Sequence, residues 1–265
     1  MTEKFTYFDF QMYLLPGAVL LVGLLTAWVA AGGQAPELFG DAGLFASVVF
    51  VLAAFVCGHF VQTLGHTLSE KLLKIWFWGG RYPSEILLFN GAPIIAATER
   101  DRHIALLRAR GLASDDDVAC WGGEVTVGRF RRRLKGIDQK QFDAGAESAQ
   151  FAFNRIRNHL ADKGAGARAT TAEANYQFFR GGFTAAALVS LTLAVEIPAL
   201  RMGWAAPFNN ALNNTALGAG AATLFCLFAV AFFWRARGAR QAVVRETFRA
   251  YAAWVRESTQ PSDLP

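Results

Sequence analysis

Apolar positions in this chain occur in four long blocks, with polar positions concentrated between them. The blocks cover residues 12–31, 44–64, 182–200 and 216–234. Three of them contain no Asp, Glu, Lys or Arg, and the third in order contains one, Glu196. Because a helix of about 20 apolar residues can cross the hydrocarbon core of a bilayer, the pattern predicts four transmembrane helices.

A polar stripe interrupts the apolar pattern at the end of the second block. His59, Gln62 and His66 are spaced i, i+3 and i+7, which places them on one face of a helix. Two interpretations stay open: the side chains hydrogen-bond to neighbouring helices near the membrane interface, or they face a water-filled path. We take the second as the working prediction, in which all three residues line a pore. Gly58 and Gly65 would let another helix approach the same segment closely.

Glu196 is the other polar residue that is costly in an apolar block, and it lies near the end of the third block. A ring of carboxylates at a channel mouth concentrates cations, and we predict this pore-lining role for Glu196. The alternative is a local ion pair with Arg201, in a helix that Pro198 disturbs.

Basic residues are concentrated on one side of the predicted spans. Residues 65–180 contain 18 Lys and Arg, and the tail after residue 234 contains six Arg. The connections at 32–43 and 201–215 contain none and one, respectively. Because basic residues near membrane helices are retained in the cytoplasm, we predict that both termini and the long middle segment are cytoplasmic.

These features predict an all-α integral membrane protein with four transmembrane helices and a mainly helical cytoplasmic insertion between helices 2 and 3. The predicted domains are an N-terminal hairpin at 1–66, a cytoplasmic domain at 67–180, a C-terminal hairpin at 181–234 and a cytoplasmic amphipathic tail at 235–265. The insertion, at about 115 residues, is close to a domain in size.

Helical patterns fill most of the insertion and the tail. The stretch "TLSEKLLKIWFW" is expected to continue the second span as far as Gly79, and a further helix is expected to stop at Gly111. Ser114 or Asp115 is a candidate N-cap, and "WGGEVTVGRF" after it predicts a short strand or a loop. The stretches "AESAQFAFNRIRNHLADKG" and "TTAEANYQFFRGG" predict helices again. In the tail, a helical apolar stripe is formed by Val244, Phe248, Tyr251 and Val255.

The sequence offers little support for a catalytic site, a disulfide framework or a metal site. Cys57, Cys120 and Cys226 have no paired spacing, which argues against a disulfide framework or a zinc site. The two histidines of the polar stripe are separated by roughly 10 Å of helical rise and cannot share a metal ion within one chain. No nucleophile motif or Gly-rich phosphate loop is present. We therefore predict no enzymatic activity, no cofactor and no metal site.

A dense basic cluster lies in the middle of the insertion. The segment "GRFRRRLKG" holds five basic residues in seven positions, and their mutual repulsion is most easily relieved by a polyanion. The predicted ligand-binding residues are Arg129, Arg131, Arg132, Arg133 and Lys135, with Arg155 and Arg157 as a second wall. Anionic membrane lipids and a nucleotide or short oligonucleotide both stay open as partners. Duplex DNA is not expected, because no DNA-reading motif is present.

The layout of the chain also resembles that of a known group of membrane proteins. Four helices, an arginine-rich segment between two hairpins and the stretches "FDFQMYLLPG" and "GHFVQTLGH" together resemble the small bacterial membrane effectors of nucleotide-signalling antiphage systems. These include the Hailong-type channel partner of a nucleotidyltransferase. The resemblance covers the layout of the whole chain and implies a homo-oligomeric channel, with a tetramer favoured, that depolarises the bacterial inner membrane. It implies control by a nucleotide or oligonucleotide and assigns no individual residue.

We therefore predict a homo-oligomeric ion channel or pore of the bacterial inner membrane, acting as an antiphage effector. Its second helix lines the conduction path, and its insertion senses the ligand. The alternative is a non-conducting membrane scaffold that recruits a cytosolic partner or anionic lipid through the same basic surface. A secondary transporter is disfavoured, because four spans per chain are few and no inverted repeat with broken helices is present.

Overall fold

The computed structural model describes residues 10–30, 43–128, 131–201 and 211–259, and most of these residues are helical. In this part of the chain, four helical stretches are long and apolar enough to cross a membrane: Phe10–Ala30, Phe45–Ile86, Ala167–Glu196 and Ala216–Thr259. The predicted apolar blocks lie largely on these stretches. The prediction of a helical membrane protein with four candidate spans is therefore confirmed.

The first two candidate spans each contain a π-helical turn. Helix α1 (Leu15–Ala30) follows such a turn at Phe10–Leu14. Helix α2 (Gly43–Leu64) continues through a second π-helical turn at Gly65–Ser69 into α3 (Glu70–Trp78). The second span therefore continues without a break up to the Gly79–Gly80 pair, as the sequence predicts.

Shorter elements follow. They are α4 (Pro83–Ile86), α5 (Ala97–Ala109), α6 (Asp115–Trp121), β1 (Glu124–Gly128), β2 (Arg131–Lys135) and α7 (Gln139–Asp162). Of the two candidate N-caps, Ser114 is the one used: its hydroxyl accepts a hydrogen bond from the N–H of Asp117 at 3.2 Å. Helix α5 ends before Gly111, whose φ of +64° suits a residue without a side chain.

A two-stranded antiparallel hairpin departs from the all-α prediction. Strand β1 falls in the segment for which the sequence allowed a strand, and it pairs with β2 from Glu124 opposite Lys135 to Gly128 opposite Arg131. Strand β2 was not predicted, because its sequence "RRRLK" has none of the apolar alternation that indicates a strand. The predicted basic cluster is thus part of a hairpin.

The last two helices are the longest. Helix α8 (Ala167–Arg201) joins the segment before the third block to the block itself and continues through Pro198. Helix α9 (Ala211–Thr259) joins the fourth block to the tail, so the predicted tail helix is the continuation of the fourth span. The apolar stripe of the tail is buried, at Val244, Phe248, Tyr251 and Val255.

Two compact units divide the chain. The membrane unit comprises Met1–Glu70 and Ala174–Ala236, and the second unit comprises Lys71–Glu173 and Arg237–Pro265. The membrane unit contains most of each apolar block, whereas the second unit contains most of the predicted insertion. Residues 237–259 of the predicted tail belong to the second unit, and the apolar stripe of the tail is buried.

Small residues set the packing of the membrane unit. A Cβ atom added to Gly17 of α1 would lie 1.8 Å from the carbonyl oxygen of Ala54, and one added to Gly58 of α2 would lie 1.9 Å from that of Tyr13. The two helices therefore meet at backbone contact, as small residues allow in membrane helices. Around this contact, the buried core includes Leu20, Val61, Ala185, Val189 and Leu193.

The second unit has an aromatic core around α7. Its largest fully buried side chains include Trp121, Phe89, Phe142 and Phe153. The indole Nε1 of Trp121 donates a hydrogen bond to the carbonyl of Gly145 at 2.8 Å, which satisfies the one polar atom of that side chain. The apolar area removed from water here provides the main stabilisation of this unit.

We expect Gly17→Val to disrupt the contact between α1 and α2, because the new side chain overlaps the backbone of α2. Overpacking of this kind costs about 1–3 kcal/mol, and a backbone clash falls at the upper end. The measurement is thermal unfolding of the detergent-purified protein. Gly220→Val is the matched control, since Gly220 is also helical and has no heavy atom within 4 Å of an added Cβ. Equal losses in the two variants would contradict the close contact.

Candidate functional site

Gln62 lies inside the helix bundle of the membrane unit. Only 7% of the surface of this residue is exposed. The amide Nε2 donates to the carbonyl oxygens of Met12 at 2.6 Å and Gln177 at 2.9 Å, and Oε1 accepts from Arg180 at 3.0 Å. For Gln62, this geometry favours the first of the two interpretations, hydrogen bonding between helices.

Arg180 and Glu70 form a buried ion pair beside Gln62. Both residues are buried, and Nη1 of Arg180 donates to Oε2 of Glu70 at 3.1 Å. Nη2 of the same guanidinium donates to Oε1 of Gln177 at 2.7 Å as well as to Gln62. We call Gln62, Glu70, Gln177 and Arg180 the buried polar network. Its hydrogen bonds connect α2, α3 and α8, and Met12 adds the first π-helical turn.

The second π-helical turn places α3 against α8. The N–H of Glu70 bonds to the carbonyl of Gly65, five residues earlier, which is the π-helical pattern. Ser69, within this turn, hydrogen-bonds to the hydroxyl of Thr184 at 2.7 Å. A Cβ atom on Gly65 would lie 3.0 Å from the same Thr184 oxygen, so this glycine allows the two helices to approach. π-Helical turns often occur at functional sites.

The two predicted histidines lie on the surface of the single chain. His59 is exposed, and its ring stacks on Tyr13 with centroids 4.1 Å apart. His66 is also exposed, and its Nδ1 lies 2.8 Å from Oε2 of Glu70. The three predicted residues therefore do not form one uniform stripe, because Gln62 faces the bundle while the histidines face outward.

A different stripe is present on the exposed face of α2 and of the π-helical turn that follows it. Thr63 and Thr67 are exposed beside the two histidines, and their hydroxyls donate to backbone carbonyls of their own helix, at His59 and Thr63. We call His59, Thr63, His66 and Thr67 the exposed polar stripe. Sequence reasoning missed the threonines, although their i+4 and i+8 spacing from His59 is readable.

Glu196 is half-buried on α8. Its Oε2 is shielded from solvent and has no hydrogen-bond partner within the described part of the chain. The alternative partner considered from sequence, the side chain of Arg201, lies outside the described residues. An unpaired carboxylate oxygen in a membrane-spanning segment is costly, which marks Glu196 as a functional candidate.

The β1–β2 hairpin places neighbouring residues of the predicted basic cluster on opposite faces of a strand. Arg129 and the side chain of Arg131 lie outside the described residues. Arg132 stacks on Phe142, with its guanidinium carbon 4.1 Å from the ring centroid, and burial lowers the pKa of Arg132, assisted by the nearby charge of Arg81. Because strand side chains alternate between faces, Arg133 lies on the opposite side of β2 from Arg132.

The hairpin and the predicted second wall are far apart. Lys135 is exposed and pairs with Glu124 at 3.4 Å. Arg155 and Arg157 are exposed on α7, and Arg157 borders a separate cavity of about 220 Å³. They follow the Phe142 contact of the hairpin by roughly 20 Å of helical rise at 1.5 Å per residue. Among the described residues, the structure therefore does not gather Arg132, Arg133, Lys135, Arg155 and Arg157 into one pocket.

A groove in the second unit contains another group of basic residues. Helices α5 and α9 border a cavity of about 630 Å³, and its charged lining residues are Glu99, Arg102, Arg249 and Arg256. His103 also lines the cavity, and burial lowers its pKa. The hydrogen bond from Arg249 lowers the pKa of Glu99. We call this cavity the α5–α9 groove. Its sequence signal is the stretch "ERDRH", which lies upstream of the dense basic cluster.

The chain has the features of a helical membrane protein with a separate, arginine-bearing unit. Searches with protein-family models, against curated proteins and against solved structures all found no match to this chain. Within the described residues, no group of three or more His, Cys, Asp or Glu could hold a metal ion. The functional argument therefore depends on the exposed polar stripe, the buried polar network and the α5–α9 groove.

We expect Glu70→Gln to destabilise the membrane unit strongly, because it leaves the buried guanidinium of Arg180 without its carboxylate. Removing one partner of a buried ion pair typically costs about 3–5 kcal/mol. The measurement is denaturant unfolding in detergent micelles.

Two further variants make this test specific. The double variant Glu70→Leu with Arg180→Leu removes both charges and should recover much of the lost stability. Lys135→Gln breaks the exposed pair with Glu124 and should change stability by less than about 0.5 kcal/mol. A Glu70→Gln protein as stable as the Lys135→Gln protein would contradict a stabilising role for the buried pair.

Proposed function

We propose that this chain forms a homo-oligomeric ion channel or pore in the bacterial inner membrane, controlled from the cytoplasm by a nucleotide or short oligonucleotide. The observation that carries the proposal is the exposed polar stripe on a candidate membrane span. The resemblance in layout to antiphage channel effectors supports the same function.

The polar side chains of the exposed polar stripe are costly to place against lipid. The face of α2 that bears His59 and Thr63 continues toward the N-terminal end of the helix with the exposed apolar residues Phe45, Leu52 and Val56. That part of the face suits lipid or another helix. Nδ1 of His66 has Glu70 as a partner within the chain, but lipid tails offer none to the imidazole of His59. The polar part of the face therefore suits water or another polar surface. A ring of α2 helices from several copies provides a neighbouring helix for the apolar part of the face and a water-filled path for the polar part.

Within such a ring, the side chains have distinct roles. The hydroxyls of Thr63 and Thr67 and the imidazoles of His59 and His66 line the conduction path. Glu196 lies in the opposite half of the membrane in the proposed topology and attracts cations at the outer mouth. Gln62 stabilises each subunit from inside through the buried polar network and does not line the path.

The proposed orientation follows the basic residues. The second unit contains most of the Lys and Arg between the second and third spans, together with five of the six arginines of the tail. A cytoplasmic second unit is consistent with the retention of basic residues and gives Arg133 and Lys135 access to soluble anions or lipid headgroups.

A scaffold that does not conduct is the second candidate. It is favoured by the Thr63 and Thr67 hydroxyls, which already bond to carbonyls of their own helix and need no water. In this function, the stripe would contact a partner helix, and the basic surface would recruit a cytosolic protein or anionic lipid.

We expect cysteine labelling to report the proposed topology. In a background without Cys57, Cys120 and Cys226, Gln34→Cys should react with a membrane-impermeant maleimide on intact spheroplasts. Arg133→Cys, on the hairpin, should react only after permeabilisation. Labelling of Arg133→Cys from outside would reverse the orientation and remove the cytoplasmic sensor from the proposal.

We expect the purified protein to conduct ions in liposomes, and Thr63→Val with Thr67→Val to lower that flux. Valine keeps the shape of threonine and removes the hydroxyl from the path. Thr223→Val is the matched control, because Thr223 is also exposed in a span and bonds to a carbonyl of its own helix. A protein that assembles without conducting would support the scaffold, and equal flux in all variants would remove the threonines from the path.

A further inference from the structure

The α5–α9 groove has the features of a ligand site that the sequence did not predict. Its volume of about 630 Å³ falls in the range of small-molecule sites. The apolar part of its lining comes from both helices and includes Leu106, Ala252 and Ala253. The charged residues and this apolar lining together suit an organic molecule that bears an anionic group.

A buried histidine provides an independent sign of a ligand. His103 is 4% exposed, lines the groove, and its Nε2 is shielded from solvent without a hydrogen-bond partner in the described residues. Oε1 of Glu99 lies 3.8 Å from this nitrogen, which exceeds a hydrogen-bond distance. A buried polar atom without a partner is costly, and a bound molecule with a hydrogen-bonding atom at this position would remove the cost.

The arginines differ in how firmly they are held. Nε of Arg249 donates to Glu99 at 2.6 Å, Nη2 donates to the other oxygen of that carboxylate at 3.2 Å, and Nη1 donates to Glu246 at 3.1 Å. This guanidinium is therefore fixed in place and largely neutralised. Arg102 and Arg256 are exposed and form no salt bridge within the described part of the chain. These two remain available for an anion.

We propose that the α5–α9 groove binds a phosphate-bearing organic molecule, with the phosphate on Arg102 and Arg256 and the organic part beside Ala252, Ala253 and His103. Guanidinium groups bind phosphate oxygens through paired, charge-assisted hydrogen bonds. The inference deepens the proposed function by giving the ligand a site, and it depends on that function only for the effect of binding on ion flux. A soluble nucleotide and a lipid headgroup share this phosphate chemistry.

The test is equilibrium binding to the full-length protein in detergent, with adenosine 5′-monophosphate, adenosine and inorganic phosphate as probes. The monophosphate should bind more tightly than either fragment, because it fills both parts of the groove. Arg102→Gln with Arg256→Gln should weaken its binding tenfold or more, as expected for the loss of charge-assisted hydrogen bonds. Competition for the same site by a water-soluble, short-chain phosphatidylglycerol tests the lipid source.

Three further variants locate the site. Ala252→Leu keeps every charge and fills the groove, so it should also weaken binding. Arg110→Gln removes an exposed arginine just after α5, outside the groove lining, and should leave binding unchanged. Arg133→Gln with Lys135→Gln tests the hairpin that the sequence favoured, and it should leave binding unchanged as well.

The outcomes separate the two proposals. Loss of nucleotide binding or of short-chain phosphatidylglycerol binding in the groove variants alone supports phosphate recognition there and identifies its source. Binding that is absent in the parent protein for both sources, or lost only in the hairpin variants, overturns the groove. Ion flux measured without any probe is a separate readout: a conducting protein without groove binding leaves the channel proposal intact, and groove binding without flux overturns the channel alone.

Discussion

The membrane unit depends on one buried ion pair, between Arg180 of α8 and Glu70 of α3. A buried charge is tolerated when an opposite charge and hydrogen bonds compensate it, and here Glu70, Gln62 and Gln177 accept hydrogen bonds from the two Nη atoms of the guanidinium. The same Gln62 amide bonds to the carbonyl of Met12. These contacts fix which faces of α2 and α8 meet, and the outward direction of His59 and Thr63 follows from that choice.

Composition was sufficient to predict the spans, because each needs only about 20 apolar residues and no particular partner. The faces of those helices could not be predicted in the same way. Gln62 lies on the same helical face as His59 by spacing, yet it is buried and His59 is exposed. The difference arises from Arg180, which is 118 positions away and pairs with Gln62 only in the fold.

The basic residues show a second limit of sequence reasoning. Charge density favoured the segment around Arg132 as a ligand site, but a strand places its neighbours on alternate faces, and Arg132 stacks on Phe142. The α5–α9 groove has a lower local density of charge, because Arg102 and Arg256 come from helices distant in the sequence. The stretch "ERDRH" signals only the α5 side of the groove, and folding alone brings Arg256 to the same cavity.

The π-helical turn at Gly65–Ser69 is the place in the second span where the helix can accommodate a change of one residue in length. A π-helical turn contains one residue more than the α-helical turn it replaces, so losing a single codon here would leave a regular helix. Because the π-helical turn accommodates its extra residue within a single turn, α3 would keep nearly the same faces relative to α2 after such a loss. The same loss in the regular part of α2 would rotate every later residue by about 100° and turn Glu70 away from Arg180. Gains and losses of single residues are therefore expected to be tolerated at the π-helical turn and selected against in the regular helix before it.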